Sequence, residues 1–168
     1  MIVRAILDDE VQLPGSLRSF ALTQDQNGRL DVSLGKCYIV YAIRTIEGRK
    51  WYFVHTDTRN DWSLWWMPSM VYEIVDNAQP VGWQKFSSSR ATLISYPSLS
   101  QFEVENGILD AEKGAIATYM KEVRTDSTFP DDQTLSICNQ DFNKKQSEKT
   151  YAIQMQLARE RGYERPTL

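Results

Sequence analysis

The chain has 168 residues, 42% hydrophobic and 24% charged, with a formal net charge of −3. This length and composition suit one globular domain with room for a short appendage, able to bury a core without metal or disulfide staples, and they exclude a chain disordered throughout. The mildly acidic balance lacks the basic footprint of a nucleic-acid binder, so no nucleic-acid partner is expected.

In chain order, Ile2 to Leu7 reads as a short edge strand. It meets the acidic run Asp8-Asp9-Glu10 too early for a signal-peptide core and far too early for a membrane span, so a soluble, cytoplasmic protein without membrane contact is expected. Lys36 to Thr45 and Arg49 to Asp57 are rich in β-branched and aromatic residues, and Glu47-Gly48 between them predicts a hairpin. A polar loop, Thr58 to Asp61, leads to Trp62–Pro68; Met70 to Val75 is a further strand, closed by Asp76-Asn77. Trp83–Phe86 and Ala91–Tyr96 are shorter strands around a serine-rich turn.

After Pro97 the period changes. Leu109, Ile116, Tyr119, Met120 and Val123 form one stripe of an amphipathic helix, with Asp110 as its cap. Arg124 to Gln146 is polar and loop-like. A second helical pattern follows, with Tyr151, Met155 and Ala158 on one stripe and Ile153 and Leu157 beside it. Ser147 would start that helix, Gly162 would stop it, and Pro166 lies beyond. The expected class is α+β: a small antiparallel sheet or partly open barrel with helices appended at the C-terminal end. A β-rich part over 1–97 and a helical extension over 98–168, packed on it as one folding unit, are expected.

The catalytic inventory is thin. The only histidine, His55, lies on a strand, where such a residue is usually packed or at the surface. No G-x-S-x-G, phosphate-binding loop or G-x-G-x-x-G occurs, which argues against hydrolase triads and nucleotide enzymes. Cys37 and Cys138 match no metal spacing and make a poor disulfide framework, so two free thiols in a reducing compartment are expected, Cys37 buried and Cys138 accessible. No cofactor and no metal are called for. Asp57, Asp61, Glu73 and Asp76 flank the aromatic region and could hold a divalent cation or act as acid and base; turn and surface roles are the ordinary explanation.

The stretch Asp61-Trp-Ser-Leu-Trp-Trp-Met-Pro-Ser69 concentrates three tryptophans. Trp65 and Trp66 are adjacent, so in an extended chain they point to opposite sides. Both are buried only if each side is covered; otherwise one serves as an interface anchor. Between Glu103 and Asp132 there are eight acidic residues against three basic ones, whereas from residue 141 six basic residues face four acidic. An acidic stretch is a solvated helix face or a lure for a basic partner.

The run Leu34 to Ile43, then Trp51-Tyr-Phe-Val54, Trp66-Met-Pro-Ser69 and Tyr72-Glu-Ile-Val-Asp76, resembles small bacterial immunity-type proteins of polymorphic-toxin and contact-inhibition loci. The same spacing, over about 34–86, resembles SH3-like barrels. The resemblance implies a toxin inhibitor acting by protein–protein interaction, with no catalytic residue. The partner-binding surface is expected at Asp57, Asp61, Trp62, Trp65, Trp66 and Glu73, against a basic toxin or other protein partner. An SH3-like adaptor reading a peptide and a small carboxylate- or metal-dependent enzyme are the rival expectations.

Overall fold

β-Branched and aromatic residues alternate along β2 (Cys37–Ile46) and β3 (Arg49–His55), and the two-residue turn between them has positive φ at Glu47 (49°) and Gly48 (78°). That mirror-image turn matches the twist of the flanking strands, and glycine takes its half without strain. The structure is a computed structural model and describes residues 1–8, 30–57 and 64–149. The expected loop at 58–61, with Asp61 and Trp62, and the expected helix beyond residue 150 lie outside the described residues.

The remaining strands are β1 (Ile2–Ala5), β4 (Leu64–Pro68), β5 (Tyr72–Asp76), β6 (Gln84–Ser87) and β7 (Ala91–Ser95). A 3-10 turn, Ser69–Val71, takes up the start of what reads in the sequence as the fifth strand. All seven strands form one open, antiparallel sheet in the order β4-β3-β2-β1-β5; β7 also pairs with β2, and β6 with β7. With the helices that follow, the class is α+β.

β2 pairs with β1 along Cys37–Ile39 and with β7 along Ile43–Ile46. Its register with β3 shifts by one residue at Tyr41. Such a bulge reverses which side chains face which way. Tyr38 and Val40 before it and Ile43 after it therefore enter the same core, with Val3, Tyr52, Val54, Met67 and Val71. Ala42 enters a second core on the other face, with Phe53, Leu64, Leu99, Ile108, Tyr119, Met120 and Val123.

The second core is roofed by α1 (Phe102–Leu109) and α2 (Lys113–Thr125). The sequence suggests one helix through this region with Asp110 as its N-cap. Instead the chain breaks: Asp110 caps the C-terminus of α1, its N–H donating to the Asn106 carbonyl, and Ala111 adopts a left-handed φ of 58°. The apolar stripe is real, since Tyr119, Met120 and Val123 are buried, but Leu109 reaches it from the preceding helix. Close packing of the two helices requires Gly107, where a Cβ would come within 2.6 Å of the Ala115 Cβ.

The polar stretch 124–146 is not a loop throughout. It contains α3 (Asp132–Cys138) and helical residues from 140 to 149, so Ser147 lies inside a helix rather than starting one. Asp131 starts α3 by accepting the Thr134 N–H at 2.8 Å, an N-cap signal that the low hydrophobicity of the segment obscures. The two cysteines are bonded to each other, contrary to the free thiols expected: Cys37 at the start of β2 joins Cys138 at the end of α3, with Cα atoms 6.1 Å apart. A separation of 101 residues says nothing against this, because the helices fold back across the sheet and bring the C-terminal end to β2.

The loop between β5 and β6 is fastened by Asp126, just beyond α2. Its carboxylate accepts from the Gly82 N–H (2.8 Å), the Tyr96 hydroxyl (2.9 Å), and the N–H (2.8 Å) and hydroxyl (2.5 Å) of Thr128. These bonds, the Thr128 hydroxyl foremost, draw the carboxyl down to about 2. A folded-state pKa below the ordinary 3.8 stabilises the fold above pH 4, and that contribution disappears as the pH falls from about 4 towards 2. Acid titration of thermal stability should therefore be steeper over this window in the wild type than in Asp126→Asn, in which the amide carries no such charge.

Candidate functional site

β2 and β3 part beyond the Val40–Val54 pair, and α3 stands over the gap. The resulting cleft has a volume of about 310 Å³ and is walled by Lys36, Tyr38, Tyr41, His55 and Asp57 from the strands and by Asp132 and Leu135 from α3. At its mouth a chain of short hydrogen bonds runs between the two strands. Lys36 Nζ donates to Asp57 Oδ1 at 2.5 Å, the Tyr38 hydroxyl donates to Asp57 Oδ2 at 2.6 Å, and the Ser33 N–H donates to the Tyr38 oxygen at 2.6 Å. The Lys36 ammonium also lies 5.3 Å from the centre of the Tyr38 ring.

The electrostatics of the group follow from this geometry. Burial alone would raise the pKa of Asp57, whose side chain is only 19% exposed, but hydrogen bonds from Lys36, Tyr38 and Ser33 and the Lys36 charge outweigh it and hold the carboxyl below its ordinary value. Burial and the neighbouring Asp57 charge push Tyr38 far up, so it is a fixed hydroxyl donor. Burial, aided by Asp132, raises Tyr41 to about 12. The cleft thus presents a carboxylate held ionised, at Asp57, and two phenols held protonated, at Tyr38 and Tyr41. Two hydroxyls nearby, Thr56 Oγ1 on the cleft wall and Tyr72 Oη in the first core, are buried without a hydrogen-bond partner.

The sequence-derived site residues do not converge. Asp57 is in the cleft. Trp65 and Trp66 sit on opposite faces of β4: Trp65 pairs with Val54 of the first core, and Trp66 packs into the second. Trp66 stacks on Phe53 with ring centres 4.6 Å apart, lies 4.3 Å beneath the Arg44 guanidinium, and donates from Nε1 to Glu105 Oε1 at 2.9 Å. Arg44 also pairs with the other oxygen of Glu105, so Trp66 fastens α1 to the sheet. Glu73 is exposed on β5 and forms a 3.1 Å ion pair with Arg4, an interaction worth about 0–1 kcal/mol. Asp76, at the end of β5, pairs with Ile2 of β1, which separates it from β2 and the cleft.

Sequence reasoning missed Lys36 and Tyr38, and met Asp132 only as the last member of the acidic stretch from Glu103. The first two were within reach: counting back from the Glu47-Gly48 turn brings Asp57 level with the start of β2, where Lys36 and Tyr38 stand. Asp132 carries no local signal, because the fold alone brings α3 to β2. Among the described residues no group of three or more His, Cys, Asp or Glu is placed to hold a metal ion, and no helix is long and apolar enough to cross a membrane. No family model, curated protein or solved structure matches the chain.

Trp66→Ala should lower stability by about 3 kcal/mol, because it removes a stacked ring and leaves Glu105 and Arg44 without their platform. Trp66→Phe should recover most of that, losing about 1 kcal/mol for the indole hydrogen bond. Chemical denaturation of the two variants checks the order; equal midpoints for wild type and Trp66→Ala would remove Trp66 from the framework.

Proposed function

We propose that the protein is a protein-binding protein of the immunity type, which occupies a cognate bacterial toxin through an acidic surface that includes the cleft. The observation that carries this reading is Asp132. It belongs to the acidic stretch of the helices, where Glu103, Asp110, Glu112 and Asp131 are also exposed, and it lines the cleft opposite the ionised Asp57. A basic side chain entering there would meet the Asp57 carboxylate, held ionised by its hydrogen bonds, with Asp132 across from it. The locked protonation states of Tyr38 and Asp57 support recognition over acid–base chemistry, which works best with groups that titrate near the working pH. A cytoplasmic location is part of the same proposal; a disulfide in that compartment is of the transient, redox-sensing kind.

The rival adaptor reading draws on a different feature. β5 ends the sheet order and exposes Ile74 and Val75, the arrangement to which an extended peptide adds as a further strand.

Co-expression with the protein encoded beside its gene tests the first reading. Growth arrest by that neighbour should be relieved, and the two should elute as one complex. Charge reversal by Glu103→Lys and Asp132→Lys should slow association about ten-fold at low salt, with a smaller effect at high salt, and leave the melting temperature close to that of the wild type. Absence of a complex, or binding abolished by Val75→Pro while the charge reversals do nothing, would replace this reading with the adaptor.

A further inference from the structure

We propose that the Cys37–Cys138 disulfide is a reversible latch: it holds α3 in place as one wall of the cleft, and its reduction releases that wall while leaving the sheet folded. The inference stands on how α3 is attached and does not depend on which partner the cleft receives.

α3 buries none of its own seven residues. Among the described residues neither apolar core draws a side chain from beyond Phe129, so the helix takes no part in either core. Four attachments are visible among the described residues: the three that follow, and the Phe142 ring, which lies within van der Waals reach of Gly35 just before β2. The disulfide ties its last residue to β2. Asn139, the next residue and itself buried, accepts the Cys37 N–H at 2.7 Å and donates to the Cys37 carbonyl at 3.2 Å. Upstream, the Phe129 ring lies 5.2 Å from that of Tyr41. Asn139 thereby takes the position of a neighbouring strand at the point where β3 has turned away, and satisfies a backbone edge that would otherwise be open. Two hydrogen bonds and two ring contacts are a slight hold on a helix without a fully buried residue, and the covalent bond supplies the rest.

The two sulfurs are unequal. Cys37 is 1% exposed, whereas Cys138 is half-buried. Exchange therefore begins at Cys138. The thiolate of a dithiol reductant attacks Cys138 Sγ, the S–S bond breaks, and Cys37 leaves as a thiolate that takes up a proton. The reductant's second thiol then displaces Cys138 as a thiol and closes the reductant's own disulfide, so two electrons and two protons pass to the protein. With both cysteines reduced, α3 is free to leave β2, and the Cys37 edge and the Leu135 and Asp132 side of the cleft open together.

Hydrogen exchange on the full chain, air-oxidised and then treated with dithiothreitol, tests this. Reduction should speed exchange about ten-fold or more at the Cys37 amide and over 132–149, leave β3 and α2 at their oxidised rates, and be reversed by reoxidation. Asn139→Ala should keep most protection of α3 while oxidised and lose all of it on reduction. Unchanged exchange after reduction would mean that the helix is held without the bond. Simultaneous loss of protection in β3 would mean that the bond is a staple of the whole fold. Two free thiols in the air-oxidised protein would mean that there is no latch. Any of these three results overturns the proposal.

Discussion

One extra residue in β2 organises the molecule. The bulge at Tyr41 lets a single ten-residue strand serve β1 at its beginning, β7 at its end and β3 on its other edge, while its side chains change faces midway. Without it, Ile43 would point away from the core that Tyr38 and Val40 occupy. The same irregularity gives the helices their hold. The Tyr41 carbonyl accepts the hydroxyl of Tyr119, the most deeply buried aromatic of α2, at 2.5 Å. A buried carbonyl left without a donor would cost about 1–3 kcal/mol, so the helical roof is specified by a polar contact as well as by packing.

The cleft is a second consequence. Strands that part at a bulge leave backbone edges and side chains without neighbours, and the protein fills that space with polar groups. Lys36, Tyr38 and Asp57 close it from within the hairpin; Asn139 closes it from α3. Polar closure is directional, whereas apolar closure is adhesive. The hairpin side is a self-contained chain of donors and acceptors, but the α3 side depends on a helix that buries nothing of its own. The two walls therefore differ in stability by construction, and local opening belongs to the α3 side.

How far the sequence could be read follows from where information is local. The hairpin was legible because Glu47-Gly48 and the strand residues on either side state it within twenty positions. So was the change to helix after Pro97, since Tyr119, Met120 and Val123 keep one stripe. The break at Ala111 was not, because a left-handed alanine follows from the close meeting of Gly107 and Ala115 and not from its own preference. α3 escaped because its helix is declared by a cap at Asp131 and by a bond to β2 rather than by an apolar face. The disulfide and the placement of Asp132 are products of the full topology. Of the candidate site, Asp57 was singled out from the sequence and Asp132 only within the acidic stretch; the partners of Asp57 required the register.

The adjacent tryptophans carry the same lesson to function. From sequence, Trp65 and Trp66 posed an alternative: either both sides of β4 are covered, or one ring is exposed as an anchor. Two cores on opposite faces of the sheet remove that alternative for Trp66, which is committed to Phe53, Arg44 and Glu105. Glu105 comes from the acidic stretch of the helices, and spending it on Trp66 and Arg44 takes it out of the surface charge. What remains exposed at Glu103, Asp110, Glu112, Asp131 and Asp132 is a field with one exposed aromatic ring, Phe102, beside Glu103. On the proposed reading such a surface favours fast, salt-sensitive encounter, and a concave feature beside it adds depth of binding. On that reading the cleft is the concave feature, with Asp132 of the acidic stretch on its wall.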